Sequence, residues 1–157
     1  MQEKTCCFTG HRRIPIDDHE FIQKRLESEV LSLIHQGVHD FMAGGALGFD
    51  TLAAQTVLSL KDGYPQIKLI LVLPCKEQTK GWGDRDVNMY NFILQQADKV
   101  IYTSEHYSRG CMHVRNRYLV DNSGFCVCYL TSENGGTAYT VRYAGQKGLR
   151  IVNLAFE

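Results

Sequence analysis

The stretch FMAGGALGFDTLAA, residues 41–54, has three glycines where an apolar run gives way to a helical pattern. The apolar spacing predicts a strand over 38–43 and a helix over 46–60. Gly44 and Gly45 permit a tight turn and a close approach of the backbone to a ligand. Gly48 would let the helix pack closely on the sheet. Free N–H groups and the positive dipole end of that helix favour an anion. The stretch therefore predicts an anion site at a strand-to-helix turn.

Strand and helix patterns alternate along the whole chain. Strands are predicted at 5–10, 38–43, 67–74, 99–103, 125–130 and 150–154, and helices at 17–36, 46–60, 85–97, 111–122 and 137–147. Six strands separated by five helices imply right-handed crossovers and a mostly parallel sheet with helices on both faces. No linker or repeat interrupts the pattern. We therefore expect an α/β fold with a single doubly wound domain over residues 1–157.

Composition narrows the classes of function. The formal net charge is zero, so the chain lacks the global basic field that duplex-binding proteins usually carry. No apolar stretch approaches the roughly 20 residues that cross a bilayer, and the N-terminus does not resemble a signal peptide. The six cysteines show no metal-ligand spacing, so we expect buried, reduced thiols and no metal site. Together these features favour a cytoplasmic protein with no membrane partner.

Unusual residues follow several of the predicted strands. In a parallel sheet of this kind, ligands bind beyond the carboxyl ends of the strands, where the strand order reverses. The topology thus brings distant segments together as candidate ligand-binding residues: Gly10, His11, Arg12, Gly44, Gly45, Ala46, Gly48, Gly135, Gly136 and Thr137. Two roles stay open for His11. It either acts on a ligand, by binding phosphate or by transferring a proton, or it bonds to the backbone of a turn. Thr137 either caps its helix or binds a phosphate oxygen.

The glycine stretch differs from the fingerprint of nicotinamide dehydrogenases. It reads Ala43-x-Gly45-x-x-Gly48, with alanine in the first position. It follows the second strand instead of the first, and no acidic residue ends the next strand, where a ribose-binding carboxylate is expected. These differences argue against an ordinary nicotinamide dehydrogenase.

Charged and aromatic residues near the same edge supply further candidates. Asp50 lies in the first turn of the glycine helix, where it compensates the helix dipole, binds a ribose hydroxyl or acts as a catalytic carboxylate. Arg115 is predicted to bind phosphate, because arginine offers a planar fork of donors. Its neighbour Asn116 is a further ligand-binding candidate, whereas Arg117 is predicted to face solvent. Trp82 and Tyr107 lie in loops at the same end. Either could stack on a base, although Trp82 could equally anchor its loop to the core.

Five segments together resemble one family. They are CCFTGHRR (6–13), MAGGALGFDTLAA (42–54), LVLPC (71–75), ADKVIYTSEHYSRGCMHVRNRYLVDNS (97–123) and NGGTAYTVRYA (134–144). This combination of segments resembles the YpsA-like family of the SLOG superfamily, whose members are small bacterial proteins. The resemblance implies a Rossmann-like fold, a nucleotide-type ligand such as NAD, ADP-ribose or AMP, and a candidate homo-oligomer.

Two further resemblances define alternative functions. Met112, Arg115 and the Gly135-Gly136-Thr137 turn resemble motifs of the LOG enzymes, which release a base from a nucleoside monophosphate. The glutamate of that motif falls on Thr140, so Asp50 would have to supply the carboxylate. The GGAxGxD segment and the Arg115-Asn116-Arg117 helix resemble the DNA-processing protein A family, whose members bind single-stranded DNA.

The sequence thus leads to three hypotheses. The first is a sensor or low-activity enzyme that binds an NAD- or ADP-ribose-type nucleotide at the carboxyl edge of the sheet. The second is a phosphoribohydrolase that cleaves the N-glycosidic bond of a nucleoside 5′-monophosphate, with Asp50 and Arg115 as catalytic candidates. The third, single-stranded nucleic-acid binding, is disfavoured by the zero net charge and the lack of a lysine-rich groove. No cofactor other than such a nucleotide is expected.

Overall fold

A computed structural model describes residues 2–156 of the chain. A short 3-10 turn, Gln2–Lys4, precedes six strands and five helices. The strands are β1 (Thr5–Gly10), β2 (Asp40–Ala43), β3 (Lys68–Leu73), β4 (Lys99–Tyr102), β5 (Phe125–Tyr129) and β6 (Arg150–Asn153). The helices are α1 (Ile16–His35), α2 (Phe49–Leu60), α3 (Asp84–Gln96), α4 (Cys111–Asp121) and α5 (Gly136–Gln146).

The six strands form one parallel sheet in the order β4-β3-β2-β1-β5-β6. The chain builds outward from β1 to β4, and α4 then returns it to the other side of β1, where β5 pairs. The strand order therefore reverses between β1 and β5, which is where doubly wound sheets bind ligands. The expected α/β, Rossmann-like architecture is confirmed.

Each face of the sheet carries its own apolar core. On one face α1 buries a stripe at helical spacing, Ile22, Leu26, Val30 and Leu33, against strand residues and α2. On the other face, α4 and α5 cover a smaller cluster that includes Leu119, Val120 and Ala144. All six cysteines are free and buried, as the sequence predicts. Within residues 2–156, no helix has the length and apolar character that crossing a membrane requires.

Most predicted boundaries agree with the structure to within two residues, but α2 begins three residues late. The prediction started it at residue 46, whereas Gly48 is its N-cap and Phe49 its first residue. Gly45 and Gly48 have φ angles of +72° and +75°, a left-handed conformation that cannot continue a helix. The glycines therefore form a five-residue loop, 44–48, that separates β2 from α2.

Candidate functional site

A cleft of about 400 Å³ opens at the carboxyl edge of the sheet, where the strand order reverses. We call it the central cleft. Its walls come from the end of β1, the start of α4, the first turn of α2 and the loop that leads into α5. Ten of the predicted site residues line it: Gly10, His11, Arg12, Ala46, Asp50, Arg115, Asn116, Gly135, Gly136 and Thr137. The topology thus brings four distant segments into one site.

Three predicted residues, Gly44, Gly45 and Gly48, are not among those that line the central cleft. A Cβ added at Gly44 would lie 2.6 Å from Nη1 of Arg115, and one at Gly45 would lie 2.5 Å from Cδ2 of Leu73. A Cβ at Gly48 would collide with the Arg12 backbone. These glycines are therefore required by close packing within the protein, and Gly48 packs on the loop after β1 instead of bringing α2 onto the sheet.

Asp50 lies in the first turn of α2 and is only 6% exposed. Its Oδ2 accepts a hydrogen bond from the backbone N–H of Ala46 at 3.2 Å, while its Oδ1 has no partner among residues 2–156. Burial raises the pKa of this carboxyl to about 6, against the opposing influence of Arg115 and the Ala46 N–H. Because that N–H is already used, the 44–48 loop has one donor fewer for an anion than the sequence suggests. The site contains a carboxyl that changes charge near neutral pH.

Arg115 is 6% exposed and is held by the protein itself. Its Nη1 donates to the carbonyl of Gly44, and its Nε donates to Oδ1 of Asn116 at 2.8 Å. Burial lowers the pKa of this guanidinium, and the charge of Asp50 opposes that effect. Arg115 thus fixes the 44–48 loop and balances the carboxylate, in addition to facing the cleft. Arg117, predicted to face solvent, donates instead to the hydroxyl of Tyr139 at 3.1 Å.

His11 and Arg12 follow β1 but have different environments. Nε2 of His11 accepts the backbone N–H of Thr131 at 2.9 Å, which requires a neutral ring, and burial lowers the pKa of this histidine. Of the two roles left open, the structure therefore shows the backbone-bonded one. Arg12 is exposed and makes no hydrogen bond or ion pair with residues 2–156. It lines the central cleft and two neighbouring concave surfaces.

The first turn of α5 forms another wall of the central cleft. Gly135, with φ of +99°, is the N-cap, and no side chain caps this end of the helix. Cβ atoms added at Gly135 or Gly136 would meet nothing within 4 Å, so this turn borders open space. The initial N–H groups of a helix have no partner within the helix, and here they line a cleft. Thr140, at the position of the LOG glutamate, is fully buried and donates to the Gly136 carbonyl at 2.8 Å.

Several lining residues were not predicted as ligand-binding. They are Phe8, Thr9, Met112, Leu119 and Asn134. Thr9 and Asn134 adjoin predicted residues in sequence. Met112 precedes Arg115 by three residues and Leu119 follows it by four, so helical spacing places both beside Arg115.

Comparison with known proteins identifies the family. The model of the YspA SLOG family, YpsA, matches residues 6–151. A UPF0398 protein of Halalkalibacterium halodurans is 33% identical over 130 residues, which cover 81% of this chain and 69% of that protein. This chain therefore belongs to the YspA SLOG family, as its motifs indicate.

Two solved structures share the fold. DNA processing protein A from Helicobacter pylori, which binds single-stranded DNA, has a TM-score of 0.66 at 16% identity. The match covers 96% of this chain and 64% of that one. DNA processing protein A from Streptococcus pneumoniae gives a TM-score of 0.66 at 15% identity, over 95% of this chain and 49% of that one. At these identities the two matches show a shared fold.

Proposed function

We propose that the central cleft binds the phosphate and ribose of a nucleotide or nucleotide derivative of the AMP, ADP-ribose or NAD type. The observation that carries the proposal is that Arg12, whose guanidinium has no hydrogen bond or ion pair within residues 2–156, and an α5 N-terminus without a side-chain cap line the same cleft. Helix N-termini favour phosphate through their N–H groups and dipole, and arginine adds a fork of charged donors. The volume of about 400 Å³ lies within the range of about 300–1,000 Å³ typical of small-molecule sites.

The other residues of the cleft have supporting roles in this proposal. Arg115 keeps the 44–48 loop in place and supplies a counter-charge to Asp50 when that carboxyl is ionised. The unpartnered Oδ1 of Asp50 is an acceptor for a ribose hydroxyl. Gly135 and Gly136 keep the α5 turn free of side chains, so that a phosphate can approach the backbone. Membership of the YspA SLOG family supports a nucleotide-related ligand.

Calorimetry with AMP, ADP-ribose and NAD tests the proposal, with two neighbouring arginines compared. Arg12→Ala is expected to weaken binding about 10- to 100-fold, because a charge-assisted hydrogen bond contributes about 1.5–3 kcal/mol. Arg13→Ala is the matched control, since Arg13 is also exposed but does not line the central cleft. Equal losses in both variants, or no heat and no change in melting with any of the three ligands at millimolar concentration, would contradict the proposal.

A hydrolase is the second candidate, favoured by the raised pKa and the unpartnered oxygen of Asp50. Cleavage of an N-glycosidic bond places positive charge on the ribose, which a nearby carboxylate stabilises. Because Thr140 replaces the glutamate of LOG enzymes, Asp50 would be the sole carboxylate among the residues that line the cleft. Release of free adenine from AMP tests this activity. Full turnover by Asp50→Asn would exclude a catalytic role for the Asp50 carboxylate.

Single-stranded DNA binding is the third candidate, favoured by the fold shared with DNA processing protein A of Helicobacter pylori. Phosphate contacts by arginine release counterions, so the affinity for an oligodeoxynucleotide should fall steeply as salt increases. Fluorescence anisotropy at several salt concentrations measures this dependence. A flat response would argue against strand binding.

A further inference from the structure

A second concave surface of about 720 Å³ lies beside the central cleft. Arg12 and Met112 line both, so these two side chains form the boundary between them. The second surface also contains Trp82 and Tyr107, and we call it the aromatic cleft. The two clefts therefore adjoin at Arg12 and Met112.

The two aromatic residues are held by contacts that leave them at the cleft surface. The half-buried indole of Trp82 packs edge-on against Tyr90, with ring centroids 5.6 Å apart. The backbone N–H of Tyr107 donates to Oε2 of Glu77 at 2.7 Å, and Oε1 of Glu77 lies 2.9 Å from Nδ1 of His106. The loop after β3 and the loop after β4 are thus joined. Tyr107 is 68% exposed, so its ring is accessible from solvent.

We infer that the aromatic cleft holds the base of the same nucleotide whose phosphate and ribose occupy the central cleft. The inference rests on the proposed function, because the second cleft is assigned as an extension of the first. The base stacks on Trp82 or Tyr107, and Arg12, at the boundary of the two clefts, holds the phosphate of the same nucleotide. Aromatic stacking is tolerant of base identity, so the ring itself is the main requirement.

The chain contains a single tryptophan, so its fluorescence reports on the aromatic cleft alone. AMP and ribose 5-phosphate, which lacks the base, are each titrated by fluorescence and by calorimetry. We expect AMP to quench Trp82 and to bind more tightly, and ribose 5-phosphate to bind without quenching. Trp82→Ala should weaken the binding of AMP about five- to hundredfold while leaving the affinity for ribose 5-phosphate unchanged. Trp82→Phe should retain most of the affinity for AMP.

Tyr107→Ala provides an independent variant should Trp82→Ala fail to fold. It should also weaken the binding of AMP without changing the affinity for ribose 5-phosphate. Phe92→Ala is the control, because Phe92 is an exposed aromatic residue on α3 that lines neither cleft. Equal affinity for AMP and ribose 5-phosphate, with no effect of either cleft variant, would overturn the base site but leave the central cleft intact. Absence of binding by both compounds would instead reject the proposed function. Quenching by a ten-residue oligodeoxythymidylate without a response to AMP would overturn the inference in favour of a DNA strand.

Discussion

The buried carboxyl of Asp50 predicts a distinctive dependence of stability on pH. Burial raises its pKa from 3.8 to about 6, so the folded protein binds a proton that the unfolded chain releases between these values. A raised pKa contributes stability that is fully present below pH 3.8 and is lost as pH increases through about 6. At about 1.4 kcal/mol for each pKa unit, the change amounts to about 3 kcal/mol.

Comparison with Asp50→Asn isolates this contribution. Asparagine has the same shape but does not titrate, and it leaves Arg115 without its counter-charge at every pH, which adds a constant cost. Urea unfolding at intervals from pH 8 to pH 4 gives the free energy of unfolding for both proteins. We expect the wild type to gain up to about 3 kcal/mol relative to the variant as the pH decreases.

Other ionisable groups, including His11, are present in both proteins and cancel in the difference. The NMR signal of the Asp50 side-chain carboxyl carbon provides a direct check, with a midpoint expected near pH 6. A difference in stability that stays constant with pH, or that decreases on acidification, would refute the argument. A constant difference would mean that hydrogen bonds and Arg115 balance the effect of burial, and a decrease on acidification would mean that they outweigh it.

Three further results are expected. Gly44→Ala should lower the free energy of unfolding by about 2 kcal/mol, because its Cβ would lie 2.6 Å from Nη1 of Arg115 and displace a charged donor. Gly83→Ala is the control in the same urea unfolding experiment, because a Cβ at Gly83 would meet nothing within 4 Å. The affinity for ADP-ribose, measured calorimetrically, should increase as pH decreases through about 6 in the wild type but not in Asp50→Asn, since the anion favours the neutral carboxyl. His11→Ala should cost about 1 kcal/mol at pH 7.5, measured by thermal melting. Because burial lowers the pKa of His11, that cost should shrink as the pH decreases and the protonated ring no longer accepts its backbone N–H. The first prediction would be contradicted if Gly83→Ala cost as much stability as Gly44→Ala. The second would be contradicted if the affinity for ADP-ribose changed with pH equally in the wild type and in Asp50→Asn. The third would be contradicted if the cost of His11→Ala did not change with pH.

The sequence was sufficient for the architecture because the signals were periodic. Continuous apolar runs specify buried parallel strands, and the helical stripe of α1 specifies one covered face. The convergence of Gly10, Arg12 and Gly135 at one edge followed from the parallel arrangement alone, since the carboxyl ends of all strands meet there.

The roles within the site depended on contacts that sequence spacing does not encode. The three glycines of the 44–48 loop were expected to approach a ligand, but their side-chain positions face Arg115, Leu73 and the Arg12 backbone. Helical spacing placed Arg115 near the cleft, but not its bond to the Gly44 carbonyl, 71 residues away. Whether an arginine is bound internally, as Arg115 is, or free, as Arg12 is, depends on the packed fold.

Titration of the isotopically labelled protein with ADP-ribose, followed residue by residue through its backbone amide NMR signals, tests the central claim most directly. If phosphate lies on the N-terminus of α5 beside the free guanidinium, the largest shifts should occur at Gly135, Gly136, Thr137 and Arg12. Saturable shifts confined to the groove of α1, α2 and α3 around Gln55 and Phe92, or no shifts at millimolar ligand, would contradict it.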